Sequence, residues 1–291
     1  MTELPRRVII LGASGFVGRA VHTELTRAGV EVVAHSSTTL DLTRPEAAAA
    51  LAGELGPGTA LVFASALTPD RGQTLDTFTT NITMAATVAR ALERQPAPCV
   101  FVSSDAVYGF DVNPVTETTP VAPGGYYGLA KYAGEKLLEY AAGVKGLRLL
   151  SLRMAGVFGP GDPHGGYGPN AFARSLARDH SLRIFGQGEE ERDHIYIDDV
   201  ARLTVALMRA GASGVINIAT GYSRSFAQVV DAIRKLVLYE VAVTNAPRKG
   251  AITHRSYDIG RLDRAVPGFS FTPFEDGLRT TLAAFGALQG A

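Results

Sequence analysis

Two residues that can transfer a proton, Tyr127 and Lys131, lie four positions apart at the start of a helical pattern. This spacing places both side chains on one face of a helix. A tyrosine hydroxyl has an ordinary pKa of about 10, and a nearby ammonium lowers it by favouring the phenolate. The pair is therefore suited to proton exchange with an alcohol or a carbonyl. The alternative is a solvent-exposed helix pair that contributes about 0.3 kcal/mol to stability.

A hydroxyl that can assist this chemistry belongs to Ser104, which follows the apolar, strand-like run 99–103. Ligands of open α/β sheets bind at the carboxyl ends of the strands. Ser104 is thus placed to hydrogen-bond the substrate oxygen that Tyr127 protonates. Alternatively, Ser103 and Ser104 cap the turn after the strand. Asp105 is either a substrate contact or a turn residue.

A glycine-rich segment, residues 12–18 (GASGFVG), follows the first strand-like run and opens a helical pattern. Glycines allow a tight turn and close approach to a pyrophosphate, while the helix N-terminus offers unpaired N–H groups. The alternative is a tight turn without a ligand. The cofactor-binding residues predicted in this segment are Gly12, Ser14, Gly15, Phe16, Val17 and Gly18.

The elements that would position these residues lie in the first half of the chain, where strand and helix patterns alternate. The predicted strands are 8–11, 31–34, 61–64, 99–103 and 147–152, and the predicted helices are 16–28, 45–55, 75–94 and 127–142. Strict alternation implies right-handed crossovers and a parallel sheet covered on both faces. The predicted fold is α/β, a doubly wound parallel sheet of the Rossmann type, with a smaller C-terminal substrate lobe.

The pattern changes after residue 153, which predicts a dinucleotide-binding domain over 1–153 and a substrate-binding lobe over 154–291, interleaved with the last sheet strands. Residues 156–170 hold six glycines and three prolines, which predicts a long functional loop. The patterns that follow predict strands at 182–185, 194–197 and 215–219, and helices from 171, from 198 and over 226–238.

The residues that follow the second strand bear on the choice of cofactor. An acidic residue that binds the ribose of NAD is expected there, but the sequence has Ser36 and Ser37 instead. No carboxylate repels a 2′-phosphate and no arginine binds it, so NAD and NADP both stay open, with NADP slightly favoured. Asp41 and Leu42 are candidates for the adenine edge, with helix capping as the alternative.

Composition excludes several classes of partner. The 28 basic and 28 acidic side chains cancel, which gives no electrostatic reason to expect nucleic acid or a membrane surface as partner. No apolar stretch reaches the roughly 18 to 20 residues of a membrane span. The single cysteine, Cys99, excludes an intrachain disulfide, so a cytoplasmic protein is expected. No metal site is expected, since the acidic cluster 189–191 lacks His or Cys at ligand spacing.

The sequence resembles the extended short-chain dehydrogenase/reductases that act on nucleotide sugars. The matching motifs are GASGFVG (12–18), FVSSDAVYG (101–109), YGLAK (127–131), GVFGPGDP (156–163), FGQGEEERDHIYIDDVA (185–201) and GVINIATG (214–221). The resemblance implies that Tyr127 is the general acid/base, that Lys131 lowers its pKa and binds the nicotinamide ribose, and that Ser104 orients the sugar oxygen. Further cofactor contacts that it implies are Ala64, Ser65, Ala66, Asn81, Ser103, Met154 and Val157. The substrate contacts that it implies are Ser104, Asp105, Asn170 and Arg192.

Departures from the family pattern narrow the expected reaction. Ala106 stands where 4,6-dehydratases carry a second acid, and Asp105 stands where the fucose-type epimerase-reductases have a cysteine. The expected function is an NAD(P)-dependent reduction of a nucleotide-linked 4-keto-deoxysugar. The alternatives are a nucleotide-sugar 4-epimerase with tightly bound NAD and a non-catalytic Rossmann sensor. A homodimer is expected, since relatives often pair through two helices, for which 75–94 and 127–142 would serve.

Overall fold

The structure, a computed structural model, describes residues 3–164, 166–248 and 250–288. Gly165, which belongs to the predicted loop, lies outside the described residues. The strands are β1 (Arg7–Leu11), β2 (Glu31–His35), β3 (Thr59–Phe63), β4 (Cys99–Ser104), β5 (Leu149–Met154), β6 (Gly156–Phe158), β7 (Ser181–Phe185), β8 (Glu191–Tyr196), β9 (Gly214–Ile218), β10 (Ser223–Ser225) and β11 (Ala242–Ala246). The helices are α1 (Phe16–Arg27), α2 (Ala47–Glu54), α3 (Leu75–Arg94), α4 (Tyr126–Lys145), α5 (Pro169–Asp179), α6 (Ile197–Ala210), α7 (Phe226–Arg234), α8 (Gly260–Ala265) and α9 (Phe274–Ala284).

The central sheet within the described residues has six parallel strands in the order β2-β1-β3-β4-β5-β9. Successive side chains of a strand point to opposite faces, and both faces are buried here. Val8 and Ile10 pack in the cluster that contains residues of α1 and α6, whereas Ile9 and Leu11 pack with residues of α2 and α3. The predicted doubly wound α/β fold is confirmed.

The order of the strands fixes where a ligand can bind. The chain leaves β1 toward β2 on one side, and β3 then pairs with β1 on the other. This reversal opens a crevice at the carboxyl ends of β1 and β3. The glycine-rich segment follows β1, so the fold sets it at the mouth of this crevice.

The second half of the chain forms a smaller lobe and also completes the sheet through β9. In the lobe, β6, β8 and β10 form one small sheet, and β7 and β11 form another. Phe158, Phe172, Phe226 and Phe274 share one buried cluster with residues of α5, α7 and α9. The division at residue 153 stays a prediction.

The predicted loop over 156–170 is wrong at both ends. Its first three residues form β6, which pairs in parallel with His194–Tyr196 of β8, and its last two residues begin α5. Pairing with a distant strand, which local composition does not report, holds this glycine-containing segment extended. The helix predicted over 226–238 ends at Arg234. Strands β10 and β11 and helices α8 and α9 had no counterpart in the predicted elements.

Two further properties concern ligands and membranes. Among the described residues, no helix combines the length and apolarity that a membrane crossing needs. In the same part of the chain, no three His, Cys, Asp or Glu side chains are grouped so as to hold a metal ion. The cytoplasmic location stays a prediction.

Candidate active site

The turn between β1 and α1 forms a cradle made of backbone. Gly12 has a φ of +86°, and a Cβ on Gly18 would lie 2.1 Å from the Gly12 carbonyl oxygen, so larger residues do not fit this turn. No side chain of the described residues caps the N-terminus of α1, and its first turn holds no acidic residue. The unpaired N–H groups and the dipole of α1 therefore suit a pyrophosphate.

The other predicted residues of this turn contribute in different ways. Ser14 and Gly15 are exposed at the mouth of the crevice. The Phe16 side chain is buried in the core of the C-terminal lobe, and Val17 packs against both cores, so only their backbone faces a ligand.

The loop after β3 forms the opposite wall of the cradle. The Ala64 N–H donates to the Leu11 carbonyl at 2.8 Å. Ser65 lies close to Gly12, because a Cβ added to Gly12 would sit 2.7 Å from the Ser65 nitrogen. The Asn81 amide accepts from the Leu67 N–H and donates to the Leu67 carbonyl. Asn81 therefore positions the loop that holds Ala64, Ser65 and Ala66.

The segment after β2 forms a hydroxyl-lined turn. Ser36 Oγ lies 2.7 Å from Thr38 Oγ1, and Ser37 is exposed. Asp41 accepts from the Thr43 N–H and hydroxyl, and this hydrogen bonding lowers the pKa of its carboxyl. Asp41 is thus engaged in the turn, and Leu42 is buried, so neither side chain is presented as a free adenine contact.

The structure brings Ser104, Asp105 and Tyr127 together where β4 meets α4. Ser104 ends β4 and accepts a hydrogen bond from the Ala106 N–H at 3.1 Å, which starts a 3-10 turn over Asp105–Val107. Helix α4 packs directly on that turn: a Cβ on Gly128 would lie 2.1 Å from the Ala106 carbonyl oxygen. This glycine contact sets Tyr127 beside Ser104.

Lys131 lies one turn of α4 beyond Tyr127 and is buried. Its Nζ donates to the Val102 carbonyl at 2.7 Å and sits 5.7 Å from the centroid of the Tyr127 ring. Burial lowers the pKa of Lys131 to about 8, although the charge of Glu135 raises it in part. An ammonium has three donors, so the bond to Val102 leaves capacity for a ligand hydroxyl.

The expected lowering of the pKa of Tyr127 is wrong. Burial raises the pKa of Tyr127, the charge of Asp105 adds to this, and hydrogen bonding with Ser104 opposes it. Lys131 is not among the groups that shift this pKa, and its ammonium donates to the Val102 carbonyl.

A buried polar network supports the floor of this site. Ser103, predicted as a cofactor contact, donates its hydroxyl to Glu135 at 2.5 Å, so its side chain faces the core rather than the crevice. Glu135 forms an ion pair with Arg153, Nη2 to Oε2 at 2.6 Å. Arg153 donates to the Tyr108 hydroxyl, which donates to Asn217. The network joins α4 to β4, β5 and β9.

The loop before α5 uses the predicted substrate residue Asn170 internally. The Asn170 amide accepts from the Gly159 N–H and donates to Asp162 at 2.6 Å. Asn170 therefore holds the loop in place through both atoms of its amide, and its contact with a substrate stays a prediction. Met154 is buried at the end of β5, where it pairs with Ser104 of β4, and Val157 is half-buried in β6 and packs against both cores.

Beside Asp105 and Arg192, two of the predicted substrate residues, lie Phe110, Arg255 and Tyr257, which the sequence did not indicate. The Tyr257 hydroxyl donates to Asp105 Oδ2 at 2.6 Å. Arg192, predicted to bind substrate, donates to the Thr253 carbonyl and hydroxyl. Phe110 lies over the guanidinium groups of both Arg192 and Arg255. No short motif marks Phe110, Arg255 or Tyr257, since each is placed by contacts with distant segments.

Residues 8–219 match the NAD dependent epimerase/dehydratase family. The chain belongs to that family. This confirms the resemblance carried by the motifs at 12–18, 101–109 and 127–131.

One curated member of the family is similar to this chain over part of its length. A putative UDP-glucose 4-epimerase of Methanocaldococcus jannaschii is 32% identical over 169 residues, which is 56% of this chain and 55% of that protein. The chain thus matches about half the length of that relative.

Two solved structures extend the similarity to almost the whole chain. The UDP-glucose 4-epimerase of Thermus thermophilus in complex with NAD is 25% identical with a TM-score of 0.84, covering 96% of this chain and 99% of that one. MoeE5 in complex with UDP-glucose and NAD is 26% identical with a TM-score of 0.83, covering 96% and 98%. MoeE5 has also been solved with UDP-glucuronic acid and NAD. The family cofactor fits this chain, because the glycine cradle and the uncapped N-terminus of α1 leave room and donors for a dinucleotide.

Proposed function

We propose that this family member is a nucleotide-sugar 4-epimerase that keeps a nicotinamide cofactor bound. The observation that carries the proposal is the convergence of Ser104 and Tyr127, with Lys131 one helical turn away, at the sheet edge where the glycine cradle opens. Similarity to proteins named UDP-glucose 4-epimerases favours epimerisation over the reduction that the sequence alone favoured. The MoeE5 complexes support a UDP-linked hexose as substrate.

The catalytic steps follow from the groups at the end of β4. A bound nicotinamide supplies reversible hydride transfer at the sugar carbon. Tyr127 removes the proton of the C4 hydroxyl and returns it when the carbon is reduced from its other face. Ser104 hydrogen-bonds the same oxygen and keeps it within reach of Tyr127. The ammonium of Lys131 stabilises the phenolate once a ligand draws it from Val102.

Elimination of water is not supported by the residues beside Ser104. Position 106 is an alanine, and the Asp105 carboxyl accepts from Tyr257. Burial raises the pKa of Asp105, although the bond from Tyr257 and the charge of Arg255 oppose this. Only one acid therefore stands where a dehydratase of this family carries two.

For the cofactor, we propose that NAD and NADP bind with similar strength. The turn at Ser36 and Ser37 presents hydroxyls, with neither a carboxylate to repel a 2′-phosphate nor an arginine to bind it. Dissociation constants within about tenfold of each other, a difference below about 1.4 kcal/mol, are expected from calorimetric titration.

A homodimer is proposed on the exposed apolar side chains of α3 and α4. The exposed members are Leu75, Tyr126, Leu129, Tyr140 and Val144. Large exposed apolar patches are typical of protein interfaces. Light scattering on the purified protein measures the assembly, and a monomer at micromolar concentration contradicts this proposal.

The reaction is tested with UDP-glucose, with and without added NAD, followed by nuclear magnetic resonance of the sugar. Conversion to UDP-galactose without net change in absorbance of the reduced cofactor supports the 4-epimerase. Stoichiometric consumption of NADPH with a nucleotide-linked 4-keto-6-deoxyhexose, and no epimerisation, contradicts it and supports the reductase.

A further inference from the structure

A buried guanidinium next to the proposed sugar site lacks partners. Arg255 is 3% exposed, and its Nη2 donates to the Tyr108 carbonyl at 3.3 Å. Its Nε and Nη1 are buried and have no hydrogen-bond partner among the residues that the structure describes. An arginine stays charged at any ordinary pH, and leaving such donors unpaired is costly. A ligand that brings a hydrogen-bond acceptor to Nε and Nη1 would satisfy these donors.

An aromatic ring covers this guanidinium from solvent. The guanidinium carbon of Arg255 lies 4.3 Å from the centroid of the Phe110 ring, and that of Arg192 lies 5.2 Å from it. Phe110 itself is 48% exposed. The ring thus forms a lid over two cations and strengthens their interaction with an anion by excluding water.

The charged groups near Arg255 include a second cation, Arg192, and the carboxylate of Asp105. Arg192 and Arg255 bring two positive charges, and Asp105, bound to Tyr257, brings one negative charge. The neighbouring Glu190 pairs with Arg248, Nη1 to Oε1 at 2.9 Å. Glu189 pairs with the same Arg248, Nη2 to Oε2 at 2.7 Å, so both glutamates are engaged by Arg248.

The position of Arg255 indicates which part of a nucleotide sugar carries that anion. Arg255 precedes Tyr257 by two positions, and the Tyr257 hydroxyl donates to Asp105, the residue directly after Ser104. Ser104 addresses C4 in the proposed reaction. The diphosphate is attached to C1, across the ring from C4, whereas C6 is attached to C5, the direct neighbour of C4. A group bound by Arg255 is thus better matched to C6 than to the diphosphate.

We propose that Arg255 binds a carboxylate at C6 of the sugar, so that the preferred substrate is a nucleotide-linked uronic acid. This inference rests on the proposed 4-epimerase function. The carboxylate accepts from Nε and Nη1 of Arg255 in a two-point contact, which suits the planar shape of both groups. Phe110 covers the contact.

The first test uses the unaltered protein, so it needs no variant to fold. Calorimetric titration of the cofactor-loaded protein should give a dissociation constant for UDP-glucuronic acid at least tenfold lower than for UDP-glucose. Equal binding, or tighter binding of UDP-glucose, overturns the inference. Because binding is measured without turnover, a protein that binds the uronic acid tightly but epimerises neither sugar contradicts the proposed function and leaves the inference supported.

The second test removes the guanidinium while keeping an unbranched stem. R255M should weaken UDP-glucuronic acid binding by at least about thirtyfold and change UDP-glucose binding by less than threefold. R261M, which removes an exposed arginine of α8, is the matched control and should alter neither. An equal loss for both sugars assigns Arg255 to the diphosphate and overturns the inference. A second variant, F110A, serves if R255M does not fold. It keeps the arginine but removes the ring that covers it, so the preference for the uronic acid should still fall. An unchanged preference contradicts the role of Phe110 as a cover.

Discussion

The cofactor side and the substrate side of the site differ in how far apart along the chain their contacting residues lie. In the cradle, the Gly15 N–H donates to the Gly12 carbonyl, and at the catalytic turn the Ala106 N–H donates to Ser104. On the substrate side, Tyr257 contacts Asp105 across 152 positions, and Arg255 contacts Tyr108 across 147. The first side is specified by short motifs, whereas the second forms only when the C-terminal lobe docks on the sheet.

This difference separates chemistry from selectivity. In the proposed reaction, the glycine cradle provides the cofactor site, and the group of Ser104, Tyr127 and Lys131 provides proton transfer that would suit many sugars. The lobe contributes Arg192 and Arg255 and the segment after β4 contributes Phe110, and we expect these three residues to determine which sugar is accepted. Substitutions on the sheet side should therefore affect all substrates equally, and substitutions in the lobe should affect them selectively.

The largest effect on catalysis is expected from Tyr127→Phe. Removing the hydroxyl while keeping the ring should lower kcat by about 10²- to 10⁴-fold, because general acid–base transfer contributes that much. Binding of the cofactor should change little. The neighbouring Tyr126, which is 41% exposed, gives the control Tyr126→Phe, for which kcat should stay unchanged. Retention of activity by Tyr127→Phe on every sugar would refute its assigned role.

The largest effect on stability is expected from Glu135→Ala. The change leaves Arg153 buried without its carboxylate partner and Ser103 without its acceptor, which should lower the free energy of unfolding by about 3–5 kcal/mol. Urea denaturation measures it. Lys136→Ala breaks an exposed ion pair with Glu139 and should cost less than about 1 kcal/mol. Similar losses of unfolding free energy for the two variants would show that the buried ion pair contributes no more to stability than the exposed one.

A smaller effect, confined to the cofactor, is expected from Gly18→Ala. The added Cβ would meet the Gly12 carbonyl and should push the turn open, weakening cofactor binding by at least about tenfold, or about 1.4 kcal/mol. Gly53, in α2, has no neighbour within 4 Å of an added Cβ, so Gly53→Ala should stabilise the protein by about 0.5–1 kcal/mol. Calorimetric titration with NAD distinguishes the two variants, and unchanged affinity in Gly18→Ala would contradict the cradle.

A pH dependence is expected from Lys131. Its pKa of about 8 means that the ammonium is present below pH 8 and is lost as the pH rises through that value. Affinity for the cofactor and the rate should therefore fall above pH 8. The charge of Glu135 raises this pKa, so Glu135→Gln should move the midpoint to lower pH. A profile with the same midpoint in both proteins would count against this coupling.

The smallest effect is expected from Tyr257→Phe. Without the hydrogen bond from Tyr257, the Asp105 carboxyl is positioned less firmly for the substrate, so KM should rise by about two- to twelvefold, the equivalent of about 0.5–1.5 kcal/mol, with kcat nearly unchanged. Tyr222→Phe, at an exposed residue of the same lobe, is the control. A fall in kcat as large as that of Tyr127→Phe would place Tyr257 in the chemical step and remove the distinction between the two sides.

The sequence by itself determined the elements whose signal is local. Helix α3 ends where its pattern predicted, at Leu75 and Arg94, and the central strands are displaced by at most two residues, because burial on both faces leaves a continuous apolar run. The glycine spacing and the four-residue interval between Tyr127 and Lys131 follow from the geometry of a single turn or helix, so they were visible without tertiary information.

Tertiary structure decided the features that depend on pairing across the chain. Residues 156–158 form a strand because they pair with β8. The side chains of Ser103 and Lys131 bind Glu135 and the Val102 carbonyl, and Asn170 binds within its own loop. Tertiary structure also left the donors of Arg255 without partners. The hydrogen-bond partner of a side chain and the extent of its burial depend on segments that meet only on folding. The residues next to it in the sequence therefore do not predict them.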